Sequence, residues 1–186
     1  MKKIKILAIV GSLREESLNR QLALAAKELI GDRADFVLLE YRDVPFMNQD
    51  IEYPAPDSVK RVRDQVKSAD GIWFFTPEYN HFFPGVLKNL TDWLSRPISE
   101  NEPQVLAGKP AAISGISPGM SGTMLAQDHL VTLISFLNMD VMNTPRLTIP
   151  NAFQQVDSQG KLALKASYPF LENQVNAFLS FIEKRI

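Results

Sequence analysis

Gly71-Ile72-Trp73-Phe74-Phe75-Thr76-Pro77-Glu78-Tyr79-Asn80 runs a block of large apolar side chains straight into a polar turn led by proline. A short apolar run closed by a turn reads as a strand covered on both faces. The next segment, Pro84-Gly85-Val86-Leu87-Lys88-Asn89-Leu90, is ready to start a helix. A rigid turn between the carboxyl end of a buried strand and a following helix is where open α/β sheets bind ligands.

Working outward, the pattern repeats. Ile4 to Val10 is a second buried strand, and the loop Gly11-Ser12-Leu13-Arg14-Glu15-Glu16-Ser17-Leu18-Asn19-Arg20 follows it. Leu18, Leu22, Ala25, Ala26 and Leu29 then recur at helical spacing until Gly31. Phe36 to Leu39 reads as a strand, Arg42 to Pro56 as a proline-punctuated surface connection, and Ser58 to Ala69 as a helix with Val59, Val62 and Val66 inward. Beyond the opening segment come a helix over Pro84 to Leu94, a polar loop over Pro97 to Gly108, a strand over Ala111 to Ile116 and a helix over Leu125 to Leu137. Val141 and Met142 begin a short fifth strand, and an amphipathic helix over Tyr168 to Ile186 follows. Strands alternating with helices imply a parallel sheet with helices on both faces. The expectation is one α/β domain over residues 1–186, a three-layer sandwich with a five-stranded sheet of flavodoxin-like order 2-1-3-4-5.

Composition narrows the function. The 186 residues are 45% apolar, with 20 Lys and Arg against 21 Asp and Glu, so neither nucleic acid nor an acidic membrane surface is favoured as a partner. Cysteine is absent, which excludes disulfides and thiolate chemistry. Met1-Lys2-Lys3 and the apolar stretch Ile6 to Val10 are too short for a secretion signal, and no segment is apolar enough to span a bilayer. A cytoplasmic protein is expected. His81 and His129 lack metal-ligand spacing, so no metal site is expected, and Met139 and Met142 read as core filler.

The first loop has the makings of a phosphate site. A helix N-terminus offers free N–H groups and partial positive charge. Ser12, Ser17 and Asn19 add neutral donors and Arg14 a charged one. In the plainer reading Ser17 caps the helix and Arg14 is solvated. The spacing fits neither GxxxxGK[ST] nor GxGxxG. In the second loop Pro77 presets the path, and the backbone of Glu78 to Asn80 with the Asn80 amide can serve the edge of a heterocycle. There the plainer reading makes Tyr79 and Asn80 ordinary turn residues.

Taken together, these segments resemble the NADPH-dependent FMN reductase family, the flavodoxin-like group that includes bacterial quinone, chromate and azo-dye reductases. The likeness rests on Gly11-Ser12-Leu13-Arg14 with Ser17-Leu18-Asn19-Arg20, on Ala69-Asp70-Gly71 leading to Thr76-Pro77-Glu78-Tyr79-Asn80, and on Pro84 to Asn89 with Asp92-Trp93-Leu94-Ser95-Arg96-Pro97. Gly108-Lys109-Pro110-Ala111-Ala112 completes it. The resemblance implies FMN as cofactor and NAD(P)H as co-substrate. It implies a phosphate held by Ser12, Arg14, Ser17, Leu18 and Asn19, and an isoalloxazine along Pro77, Glu78, Tyr79 and Asn80. A third flavin loop, Ser114 to Gly122, would add Ser114, Ser117 and Gly119. No residue is assigned as catalytic acid, base or nucleophile, because in such proteins the flavin carries the chemistry.

The implied activity passes hydride from NAD(P)H through flavin to a quinone, azo, flavin or metal-ion acceptor by a ping-pong mechanism. The alternative is a single-electron flavodoxin-type carrier or a flavin-binding sensor. The balanced charge and Arg14 argue against an acidic carrier. A homodimer or homotetramer is expected, with Trp93, Phe82 and Phe83 as candidate interface aromatics. Family members usually have small residues where this chain has His81-Phe82-Phe83, which either narrow the pocket or pack an interface. Arg96 reads as solvated or as a subunit bridge.

Overall fold

The structure is a computed structural model that describes residues 3–99 and 101–186. Met1 and Lys2 of the amino-terminal segment and Glu100 of the polar loop lie outside the described residues.

The buried strands form as their composition demands. In chain order the elements are β1 (Ile4–Val10), α1 (Leu18–Ile30), β2 (Ala34–Leu38), α2 (Asp57–Ser68), β3 (Gly71–Phe75) and α3 (Gly85–Leu94). They continue with β4 (Pro110–Ile116), α4 (Met124–Phe136), β5 (Asp140–Val141), β6 (Leu147–Ile149) and α5 (Tyr168–Glu183). All pairings are parallel, and the order β2-β1-β3-β4-β5 is the flavodoxin-like one.

Alternation along each strand divides the interior into two cores. Ile6, Ala8, Trp73, Phe75 and Ala112 point to the face covered by α1 and α5. Leu7, Ile9, Ile72, Phe74 and Ile113 point to the face under α2, α3 and α4. Trp73 lies in register between Ala8 and Ala112. Two small neighbours leave the indole room to stack on Phe75 at 5.2 Å and meet the edge of Phe178 at 5.3 Å.

The fifth strand is Asp140–Val141, and a sixth was not expected. β5 pairs with the start of β4, at Pro110 and Ala111, and β6 with its end, at Ser114 to Ile116. Between them Pro145 has no N–H to give a ladder, so the edge is covered in two pieces.

One expectation about the surface is corrected and another is refined. Trp93 and Phe83 are core residues of this chain rather than interface anchors. The Trp93 indole nitrogen donates to Pro45 O at 2.8 Å. Arg96 stays partly solvated, and its Nε donates to the buried carboxylate of Glu52 at 2.7 Å within this chain. The guanidinium beside it holds Glu52 below the usual carboxylate range. Buried Arg63 donates to Trp93 O at 3.0 Å nearby, and Tyr53 donates to Pro97 O at 2.8 Å. Together these bonds fasten the Arg42–Pro56 connection to α2 and α3. Met139 and Met142 are buried, as expected.

Candidate functional site

Three loops leave the carboxyl ends of β1, β3 and β4, and close packing draws them together. Gly11 is where the first meets the second: a Cβ there would lie 3.3 Å from Pro77 Cδ and 3.4 Å from Thr76 Oγ1. Gly115 brings the second to the third, since its Cβ would fall 2.3 Å from Thr76 O and 2.2 Å from Thr123 Oγ1. Only glycine permits that approach.

The first loop keeps its donors available. Ser17 caps α1 by accepting from Arg20 N at 3.4 Å. The backbone N–H groups of Leu18 and Asn19 have no acceptor among the described residues. Ser12 is half-buried and accepts from Arg14 N at 3.4 Å. The Arg14 guanidinium is exposed and makes no hydrogen bond or ion pair among the described residues. Free amides at a helix N-terminus, two hydroxyls and an uncommitted guanidinium fit a phosphate.

Asn19 is placed otherwise than as a phosphate donor. Its Nδ2 donates to Ile116 O and its Oδ1 accepts from Ile116 N, both at 3.0 Å and buried. The side chain clamps α1 to the end of β4. Asn19 keeps only its backbone N–H for a ligand.

In the second loop, Tyr79 and Phe82 exchange two backbone hydrogen bonds, 2.9 and 3.0 Å. Asn80 and His81 between them have φ of 52° and 63°. This is the two-residue primed turn that suits hairpins. Glu78 is not laid out along an open face: its carboxylate accepts from Ala126 N at 3.0 Å, at the start of α4, with His81 Nδ1 at 3.5 Å. A carboxylate at a helix N-terminus is favoured by the dipole. Phe82 stacks on His129 of α4 at 4.5 Å. The backbone N–H groups of Glu78 and Asn80 have no acceptor among the described residues, and the Asn80 side chain is exposed. They fit the edge of a flat polar ring. Pro77 is buried and gives the loop its fixed entry.

The third loop divides. Ser114 is fully buried, accepting from Trp73 Nε1 at 2.8 Å and donating to Gln174 Oε1 at 2.6 Å. Ser117 is also buried and donates to Gly122 O. Neither hydroxyl donates into the crevice. Gly119 and its neighbours Pro118 and Met120 are exposed.

One wall was missed in the sequence. Tyr41 is buried, and its hydroxyl donates to Val10 O at 2.5 Å. Burial, aided by the Glu40 carboxylate, pushes it above the ordinary phenol range, so it stays a protonated donor. Arg42 Nη2 donates to Leu13 O at 2.6 Å. Asn89 accepts from Met47 N at 2.7 Å and donates to Pro45 O at 2.9 Å. The segment therefore stands fixed beside the first loop. The available signal was Val44-Pro45-Phe46, an apolar patch within a polar connection. Among the described residues no group of acidic or histidine side chains is placed to hold a metal, and no helix is long and apolar enough to cross a membrane.

A family model for NADPH-dependent FMN reductase matches residues 4–154. A 2-hydroxy-1,4-benzoquinone reductase of Burkholderia sp is 35% identical over 182 residues, covering 98% of each chain. An NAD(P)H-dependent FMN reductase of Pseudomonas aeruginosa is 37% identical over 182 residues, covering 97% of this chain and 96% of its own. Among solved structures, the flavoenzyme NAD(P)H:(acceptor) oxidoreductase FerB of Paracoccus denitrificans superposes with a TM-score of 0.88 at 35% identity, covering 98% of both chains. With three loops meeting at the carboxyl edge of a flavodoxin-like sheet and relatives matched over nearly their whole length, the chain belongs to the NADPH-dependent FMN reductase family, oxidoreductases that work with FMN and NAD(P)H.

Proposed function

We propose that this protein moves two electrons from NAD(P)H to a quinone, azo, flavin or metal-ion acceptor by a ping-pong mechanism. The observation that supports the reading most is uncommitted donors on two loops that pack together at Gly11 and Pro77: Leu18 N and Asn19 N with Arg14 on the first, Glu78 N and Asn80 on the second. Ser12, Arg14, Ser17 and the amides of Leu18 and Asn19 hold the FMN phosphate. Pro77, Glu78, Tyr79, Asn80 and Gly119 border the ring, with Ser114 and Ser117 shaping the third loop from behind. Bound FMN supplies the hydride-accepting and hydride-donating chemistry. The protein's part is to orient the ring by its edge and leave one face open.

One open face serves nicotinamide and acceptor in turn, because both must stack there. Steady-state oxidation of NAD(P)H against quinone should therefore give parallel double-reciprocal lines. Intersecting lines would show a ternary complex and overturn the shared-face reading. A one-electron product as the main outcome would favour a carrier.

The proposal includes a cytoplasmic homodimer or homotetramer, and a homologue named as a quinone reductase fits a small-molecule acceptor. Support for self-association comes from apolar side chains exposed on the hairpin and around the start of α4: Tyr79, Phe82, Met120, Met124 and Leu125. Light scattering on FMN-loaded protein at micromolar concentration should report at least a dimer; a monomer refutes this part.

A further inference from the structure

The first loop has a second side. Between Ser12–Glu15 and the segment Leu39–Arg42 lies a cavity of about 420 Å³. It shares Ser12 and Arg14 with the phosphate loop, but Ser17, Leu18 and Asn19 do not line it, so it opens away from the helix N-terminus. Beside it lies a more apolar hollow of about 250 Å³, walled by Leu13, Val44, Pro45, Phe46 and Val86. Leu13, Tyr41 and Arg42 line both, and the two form one trough. The trough starts at Val86 in the first turn of α3, just after the ring loop, and passes around Leu13 into the arginine-bearing cavity.

Its chemistry is graded along its length. At the apolar end Phe46 is 85% exposed on a segment that Asn89, Trp93 and Tyr41 hold rigid. An exposed aromatic ring on fixed backbone is a stacking surface. At the polar end three arginines face two carboxylates. Arg20 and Glu40 satisfy each other at 3.0 Å, and Glu15 is exposed. Arg14 faces the phosphate loop as well. Arg42 spends only Nη2, on Leu13 O. Its Nε and Nη1 have no partner among the described residues, and the bond to Leu13 fixes the fork's position. A planar guanidinium held in this way is suited to phosphate.

We propose that this trough binds the 2′-phosphoadenosine end of the nicotinamide co-substrate, with the adenine beside Phe46 and the 2′-phosphate on Arg42. Arg42 is then the residue that favours NADPH over NADH. The inference rests on the reductase reading, since a nucleotide whose nicotinamide lies at the ring loop continues past Val86 into the trough.

The test uses FMN-loaded protein and two non-reacting probes, adenosine 2′,5′-bisphosphate and AMP, titrated by calorimetry. The bisphosphate should bind about ten- to a hundredfold tighter than AMP, the range a hydrogen bond to a charged group commands. Arg42→Ala should erase that difference and raise KM for NADPH more than KM for NADH by a similar factor. Arg42→Gln, which keeps a donor for Leu13 O but loses the charge, should do the same if the effect is not a folding defect. Phe46→Ala should weaken both probes alike. Equal binding of the probes, a preference that survives both Arg42 variants, or no probe binding to a holoenzyme that oxidises NADPH would overturn the subsite and leave the reductase reading standing. Protein that takes up no FMN and oxidises no NAD(P)H would sink the reductase reading, and this inference with it.

Discussion

Gly115→Ala should destabilise the protein and loosen its grip on FMN together. The added Cβ would sit 2.3 Å from Thr76 O and 2.2 Å from Thr123 Oγ1. Neither obstacle can swing aside cheaply: one is backbone at the head of the second loop, and the other is a fully buried side chain just before α4. Thr76 N is also bonded to Ser114 O at 2.9 Å, so pushing Thr76 away breaks the register of β3 on β4. Overpacking of this kind costs about 1–3 kcal/mol, read as a fall in Tm of roughly 2–12 °C at this chain length. FMN affinity should fall with it, because the second and third loops separate. Gly119→Ala is the control, since its Cβ would find only Ser117 Oγ at 3.8 Å. Thermal melts in which Gly115→Ala matches the unaltered protein would show that the loops are not held by this contact.

Arg14→Ala should have the opposite profile, leaving the apoprotein's stability alone and weakening FMN. The guanidinium makes no bond among the described residues, so nothing in the fold depends on it. A charge-assisted bond to phosphate is worth about 1.5–3 kcal/mol, and the exposure of Arg14 places the loss toward the lower end through solvent screening. Titration of apoprotein with FMN should show about a tenfold weaker dissociation constant or worse. The difference between the two proteins should shrink as salt is raised. An unchanged affinity would remove Arg14 from the phosphate site.

Much of this was legible from the sequence because the signals were local. Phe74 and Trp73 mark a strand buried on both sides whatever lies around them, and Val59, Val62 and Val66 mark a helix face. What failed were side chains whose partners lie far along the chain. Asn19 looks like a ligand donor until its amide is found on Ile116, 97 residues away. Ser114 looks like a loop hydroxyl, but its hydrogen bond goes to Gln174, 60 residues on. Glu78 stands where a ring would be contacted, yet its carboxylate serves α4. Trp93 was read as an interface aromatic because spacing could not show what covers it: Ala55, Val44 and Met47 come from the connection read as surface, and Val59 from α2. β6 escaped because Leu147-Thr148-Ile149 is too short for periodicity to declare itself.

The hairpin at Tyr79 to Phe82 has a consequence for how such a protein diversifies. Its two backbone bonds close the turn on itself, while Glu78 anchors its base to α4 from outside the turn. The Tyr79 and Asn80 side chains are therefore passengers on this frame, whereas Phe82 rests on His129 and His81 lies beside Glu78. Tyr79 and Asn80 form a cassette that selection, or an engineer, can exchange to retune what docks at the crevice, provided position 80 keeps a residue that accepts positive φ. New acceptors can be tried there while the sheet, the phosphate loop and the core inherit nothing of the change.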